Sequence, residues 1–291
     1  MFEGCYVAMT TEFKSGKVDL DGVRRLTRRL IEGGVSGLVP AGCTGEAATL
    51  TTQERLDVIK AVLAERGSGS KVKVVPGTGT NATASTIELT RMAEQAGIDG
   101  ALVITPYYNK PTQAGLIKHY EAAAGAVSIP IMIYNVPGRT GVNMLPETVA
   151  EVAKIDNVVA IKEASGSVDQ VSRLAEISDI EILSGDDSLT LPMMAVGARG
   201  VVSVAGNVVP RGVSKMVDAF LMKELEEARK IHLELLDLFH VLFVETNPGP
   251  VKAALEMMGE GTGELRLPLV PVAEASRAKV RKVLVDLGLI K

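Results

Sequence analysis

The chain has 291 residues and a formal net charge of −4, with five tyrosines, five phenylalanines and no tryptophan. That length can bury a large core, as one big α/β domain or as two, while the acidic balance and scarce aromatics argue against a nucleic-acid binder, which needs a basic stripe or base-stacking platforms. The longest uncharged run, Ala122–Gly138, is broken by Gly125, Ser128, Pro130, Asn135 and Pro137 and is shorter than the roughly 20 apolar residues of a membrane span.

The opening Met1-Phe2-Glu3-Gly4 lacks a basic segment, so no signal peptide is expected. Cys5 and Cys43 make no disulfide framework, and a cytoplasmic location is the expectation. His119, His232 and His240 are scattered and fit no zinc-ligand spacing.

Taken in order, short β-branched runs alternate with helical patterns as far as about residue 205. The expected strands are Tyr6–Thr10, Gly37–Ala41, Val72–Pro76, Ala101–Thr105, Ile129–Asn135, Val158–Lys162, Ile180–Ser184 and Gly200–Val204. Between them lie helix-start signals. Thr51-Thr52-Gln53-Glu54 reads as a capping box ahead of Leu56, Ile59, Val62 and Leu63, and Ser167-Val168-Asp169-Gln170 as a second ahead of Val171 and Leu174. Leu145-Pro146-Glu147 sets proline at a first helical position. Strand-then-helix units predict a parallel sheet. Eight of them suit a (β/α)8 TIM barrel, with an open doubly wound sheet as the competitor. Beyond residue 210 the strands stop: Lys223–Val244 carries apolar residues at intervals of three or four, the Asn247-Pro248-Gly249-Pro250 turn starts another helix, and Val280, Val283, Leu284 and Leu287 mark a last one. The division read from this is a barrel over residues 1–224 and a C-terminal helical region over 225–291.

A barrel gathers its chemistry at the carboxyl ends of its strands. Those positions hold Gly42-Cys43-Thr44-Gly45-Glu46, Thr105-Pro106-Tyr107-Tyr108-Asn109, Tyr134 through Thr140, Lys162-Glu163-Ala164 and Ser184-Gly185-Asp186-Asp187. Lys162 ends an apolar run. Strand alternation sets Val158, Ala160 and Lys162 on one face and Val159, Ile161 and Glu163 on the other. On its own such a lysine reaches solvent or a carboxylate. With phenols, a thiol and a guanidinium on the same rim, it reads instead as an amine that loses its proton on burial and attacks a 2-oxo acid. Tyr134 can move the protons, the Gly42–Gly45 turn can aim backbone N–H groups at a carboxylate, and Arg139 can grip a second carboxylate as a fork.

One motif competes. Gly77-Thr78-Gly79-Thr80-Asn81-Ala82 matches the dinucleotide fingerprint G-x-G-x-x-A, and Asp99 lies 20 residues beyond Gly79. Asp99, however, precedes the strand Ala101–Thr105, where a ribose-binding acid follows its strand, and the motif falls in the third βα unit. The glycines are read as a tight βα turn.

Six stretches then carry a resemblance along nearly the whole chain: TPYYNKPTQ (105–113), YNVPGRTG (134–141), IKEASG (161–166), LSGDD (183–187), FVETNPGPVKAAL (243–255) and LRLPLVP (265–271). The chain resembles the dihydrodipicolinate synthase / N-acetylneuraminate lyase family. The resemblance implies a (β/α)8 barrel with a C-terminal helical region, a homotetramer built as a dimer of dimers, and no cofactor or metal. It implies Lys162 as the imine-forming lysine, Tyr134 as the catalytic phenol and Tyr108 as a phenol reaching a neighbouring subunit's site. Arg139 would hold the carboxylate of aspartate semialdehyde, backbone groups around Cys43 and Thr44 the carboxylate of pyruvate, and Gly185 and Val202 would line the pocket. The implied reaction condenses the small molecules pyruvate and L-aspartate 4-semialdehyde to 4-hydroxy-tetrahydrodipicolinate, in lysine and diaminopimelate synthesis.

The match has departures. Cys43 stands where the family has a threonine between its two relay tyrosines; a thiol is a weaker hydrogen-bonding group, but its ordinary pKa near 8.5 lets it pass protons. Thr11-Glu12 replaces Thr-Pro. Thr52, Arg55 and Ser85 replace the histidines and glutamate of lysine-inhibited members, beside a matching Asn81 and Tyr107, so lysine feedback is expected to be weak or absent. Three other readings stay open: a sister aldolase for a sugar-derived 2-oxo acid, which Arg139 disfavours; a non-catalytic barrel that binds a 2-oxo acid; and a dinucleotide oxidoreductase.

Overall fold

A computed structural model describes residues 2–291. Eight strands form one parallel sheet: β1 Gly4–Ala8, β2 Gly37–Val39, β3 Lys73–Val74, β4 Ala101–Ile104, β5 Ile131–Asn135, β6 Val158–Glu163, β7 Glu181–Ser184 and β8 Gly200–Ser203. All eight expected strands are present, the first beginning and ending two residues earlier than its apolar run suggested. Each pairs with its neighbour in chain order, and β8 returns to β1 through the register Tyr6↔Val202. Between β3 and β4 the ring closes on a bridge, Gly77↔Leu102, with the Leu102 amide donating to Pro76 O at 2.9 Å and the Thr78 amide to Leu102 O at 3.0 Å. The sheet is therefore a closed barrel, and the open-sheet alternative falls.

Closure explains the glycine motif. A Cβ on Gly77 would lie 2.4 Å from Ala41 O, and one on Gly79 2.4 Å from the Ile104 amide nitrogen. Only glycine lets the two strand ends approach so closely. Asp99 sits at the opposite end of the barrel, its carboxylate taken by Arg66 and the Val74 amide, each at 2.8 Å.

Alternation sorts the strand residues into two cores. Tyr6, Ala8, Val39, Leu102, Met132, Tyr134, Ala160, Leu183 and Val202 fill the barrel, while Val7, Leu38, Val103, Ile133, Ile161 and Val201 face the helices. One expectation fails here. A bulge in the β5–β6 pairing, where Ile131 meets Val158 and Met132 meets Ala160, skips Val159 and turns Val158 outward. Val158 thus shares the outer core with Ile161, while Ala160 and Lys162 keep the inward face.

A helix follows each strand: Leu20–Glu32, Thr52–Arg66, Thr83–Gln95, Gln113–Ala124, Pro146–Val152, Val168–Ile177, Thr190–Ala195 and Pro210–Leu221. Thr51 and Glu54 form the full reciprocal box, and Pro146 takes the first helical position. The second box is half formed. Ser167 Oγ accepts from the Gln170 amide at 3.0 Å, but the Gln170 side chain turns away to Glu163 Oε2 at 3.1 Å and to Asn143. A buried carboxylate offers it a stronger partner than the cap does.

Beyond the eighth barrel helix, Leu225–Val241 packs along Pro210–Leu221, and Glu274–Asp286 buries Val280 and Leu284 against Leu225–Val241 and Gly249–Met257. Among the described residues no helix is long and apolar enough to cross a membrane.

Candidate active site

The carboxyl rim opens on a cavity of about 310 Å³ whose lining includes Cys43, Glu46, Arg55, Tyr107, Tyr134, Arg139 and Asn247. β5 and β6 run in register so that Tyr134 lies beside Lys162 and Asn135 beside Glu163. The Lys162 ammonium stands 4.3 Å from the centroid of the Tyr134 ring, and the lysine is 5 % exposed.

Burial pushes the Lys162 amine down to about 8 from 10.5; the negative charges that Cys43 and Asp187 can carry oppose this, and the Arg139 guanidinium reinforces it. The Tyr134 phenol is driven well above its ordinary value, first by burial, then by the charge and hydrogen bond of Cys43, with Arg139 acting the other way. At neutral pH the site therefore holds an intact phenol beside an amine that deprotonates readily.

Lys162 and Tyr134 are fixed from behind the sheet. Glu163 is fully buried and accepts from Asn135 Nδ2 at 3.1 Å, Gln170 Nε2 at 3.1 Å and the Ser165 amide at 2.7 Å. Asn135 also donates to Asn143 Oδ1 at 2.8 Å. A saturated polar network thus holds the ends of the two strands that carry the amine and the phenol. In front, Gly185 leaves the room that Lys162 needs, since a Cβ there would lie 3.0 Å from Lys162 Cε and 2.5 Å from Ala164 Cβ. Asp187 accepts from Ser203 Oγ and from the Val204 and Ala205 amides, holding the loop after β8.

The turn after β2 is stretched between two non-glycine residues at positive φ, Ala41 (53°) and Glu46 (54°). Thr11 Oγ1 grips it by donating to Gly45 O at 2.7 Å. Glu12 lies buried beside this grip, accepting from Thr10 Oγ1 at 3.0 Å and from the Thr262 amide at 3.1 Å. Here the Thr11-Glu12 departure gains a meaning: the glutamate ties the loop after β1 to the C-terminal region.

Cys43 is half-buried and faces Tyr134. Thr44 is buried, with its hydroxyl accepting from Asn247 Nδ2 at 3.0 Å. Arg139, in the short helix Pro137–Thr140, donates from Nη2 to Asn247 O at 3.0 Å. Val202 lies in the barrel core one strand from Tyr6. Lys162, Tyr134, Cys43, Arg139, Thr44 and Gly185 converge on one end of the barrel. Tyr108 does not join them. It is 88 % exposed with φ of 76°, its amide donating to Thr140 O at 3.2 Å.

Sequence reasoning missed two contributors, Asn247 and Lys252. Lys252 Nζ pairs with Glu46 Oε1 at 2.5 Å, both side chains at zero exposure, and also reaches Glu264 O at 2.6 Å. The available signals were slight: a polar residue ahead of Pro248, and a lysine on the apolar face of a helix. Among the described residues, no three His, Cys, Asp or Glu side chains gather as a metal site.

The model of the dihydrodipicolinate synthetase family matches residues 1–287. A 4-hydroxy-tetrahydrodipicolinate synthase of Geobacter sulfurreducens is 50% identical over 292 residues, covering 100% of both chains. Among solved structures, dihydrodipicolinate synthase from Aquifex aeolicus superposes with a TM-score of 0.96 at 44% identity, covering 99% of each chain. A monomeric dihydrodipicolinate synthase variant superposes at 0.97 with 43% identity, over 99% of this chain and 98% of that one.

Proposed function

Since the chain belongs to the dihydrodipicolinate synthetase family, we propose that it is a lyase of the imine-forming aldolase type that condenses pyruvate with L-aspartate 4-semialdehyde to 4-hydroxy-tetrahydrodipicolinate. The observation that carries this reading is the Lys162 amine, buried, lowered to about 8 and set 4.3 Å from the Tyr134 ring.

The neutral amine attacks the keto carbon of pyruvate, and loss of water leaves a protonated imine. That imine is an electron sink, so a proton leaves the methyl carbon and an enamine forms. The enamine carbon attacks the aldehyde of the second substrate, which takes a proton to become the 4-hydroxyl. The substrate's own amine then attacks the imine carbon, closes the ring and expels Lys162, with one water lost overall. In this scheme Tyr134 moves the protons and Cys43 passes them on. Thr44 and the amides of its turn receive the pyruvate carboxylate, Arg139 clamps the second substrate, and Gly185 and Val202 shape the pocket.

Tyr108, solvent-facing on a backbone held at positive φ, suits a phenol lent to another copy, and the reading includes a homotetramer acting in the cytoplasm. A mixture of inactive Lys162→Ala and Tyr108→Phe chains that regains activity when subunits exchange supports the loan; no regain overturns it. The central test is borohydride reduction in the presence of pyruvate followed by peptide mapping. An adduct on the peptide carrying Lys162 is expected, and labelling elsewhere or nowhere rejects the mechanism.

A further inference from the structure

Asn247 lies between the two carboxylate sites proposed above. It is 5 % exposed and comes from the turn that starts the helix Gly249–Met257, more than a hundred residues from Arg139 and two hundred from Thr44. Its backbone oxygen accepts from Arg139 Nη2 at 3.0 Å and its Nδ2 donates to Thr44 Oγ1 at 3.0 Å, while its own Oδ1 is buried with no partner. A buried asparagine kept for packing has both ends of its amide satisfied. Here the one polar contact of the side chain goes to Thr44.

That contact has a polarity. A hydroxyl carries one proton and two acceptor lone pairs. With Asn247 filling an acceptor position of Thr44, and no acceptor for the Thr44 proton among the described residues, the hydroxyl is left as a donor. A donor is what an incoming carboxylate needs, and a hydrogen bond to a charged acceptor is worth more than one between neutral groups.

Resting on the reading of Thr44 as part of the pyruvate carboxylate site, we propose that Asn247 is a positioning residue: it holds the Thr44 hydroxyl in the orientation that donates to the substrate carboxylate. Its effect falls on pyruvate binding, and it acts through Thr44.

The test is a double-mutant cycle of Asn247→Leu and Thr44→Val in the full chain, reading half-saturation by pyruvate from borohydride-trapped adduct and from steady-state kinetics. Loss of a hydrogen bond to a charged group corresponds to about 10- to 100-fold in affinity, which is the rise in KM for pyruvate expected of Thr44→Val. Asn247→Leu is expected to raise that KM several-fold at nearly unchanged kcat, and the double variant to be no worse than Thr44→Val alone. Asn247→Asp, close in shape and certain to accept rather than donate, replaces the leucine variant if that one does not fold; it is expected to raise KM at least as much. An unchanged KM, or a double variant whose effects multiply, overturns the proposal. A wild-type enzyme that traps no pyruvate removes the imine reading instead, and this proposal with it.

Discussion

Lys162 gives the sharpest quantitative prediction, and pH is the perturbation. An amine titrating at 10.5 is neutral in roughly one molecule in 3,000 at pH 7, whereas one titrating at about 8 is neutral in roughly one in ten. The surroundings of the amine, burial first among them, thus supply a roughly 300-fold gain in its neutral form, equivalent to about 3.4 kcal/mol. The initial rate of imine trapping should rise about tenfold per pH unit below 8 and level off above it. Stability moves with the same group. Its folded pKa lies below its unfolded one, so its full contribution is present above pH 10.5, falls as pH drops from 10.5 to about 8, and is lost below that. Lys162→Met should accordingly unfold at higher denaturant than wild type at pH 7, by up to about 3 kcal/mol, with no trapping at all. A trapping rate that climbs without a break to pH 10 would refute the argument, as would a Lys162→Met chain no more stable than wild type.

Cys43, half-buried in the cavity, should alkylate with loss of activity and be protected by pyruvate, while Cys5, whose thiol burial pushes up to about 12, should stay unmodified in the folded chain; mass spectrometry of the labelled peptides decides. If the thiol relays protons, Cys43→Ala should cost about 100-fold in kcat and Cys43→Thr should keep most of the activity; equal losses in both refute a relay role. Lys252→Met strands the fully buried Glu46 carboxylate and should cost about 3–5 kcal/mol in chemical denaturation, whereas the paired change Glu46→Gln with Lys252→Met should recover most of it. L-Lysine at sub-millimolar concentration should not slow the enzyme, because Arg55, held by donating to Ala47 O at 2.6 Å, sets a cation at one of the positions where lysine-inhibited members differ, and a cation repels a cationic ligand; inhibition in that range refutes this.

The strands were legible because their β-branched runs end at turn residues, and Lys162 was legible because a charge at the end of such a run is rare enough to need a reason. The bulge at Val158 was not. Two adjacent valines suit either face of a sheet equally, so alternation carries no mark of the skipped residue. Gln170 illustrates the opposite failure. Its local signature is a sound capping box, but a buried Glu163 seven residues earlier competes for the same amide and wins. Only the second miss is a tertiary partner overriding a local rule, and that partner, Glu163, is the residue next to Lys162.

The sequence marks the C-terminal region only as helical, and its contacts give it a larger part. Two side chains at and within the second helix of that region grip one short turn: Asn247 holds Thr44 and Lys252 holds Glu46. Asn247 also holds Arg139 through its backbone, and Glu46 accepts the Arg266 amide at 3.0 Å. The turn they secure carries Cys43, and it is strained at both ends by residues at positive φ. A strained turn keeps its shape only where its surroundings determine it from several sides. Here Thr11 supplies one side and the C-terminal region the other, so the turn that carries Cys43 and Thr44, unlike the Lys162–Tyr134 pair, depends on chain that lies outside the eight βα units.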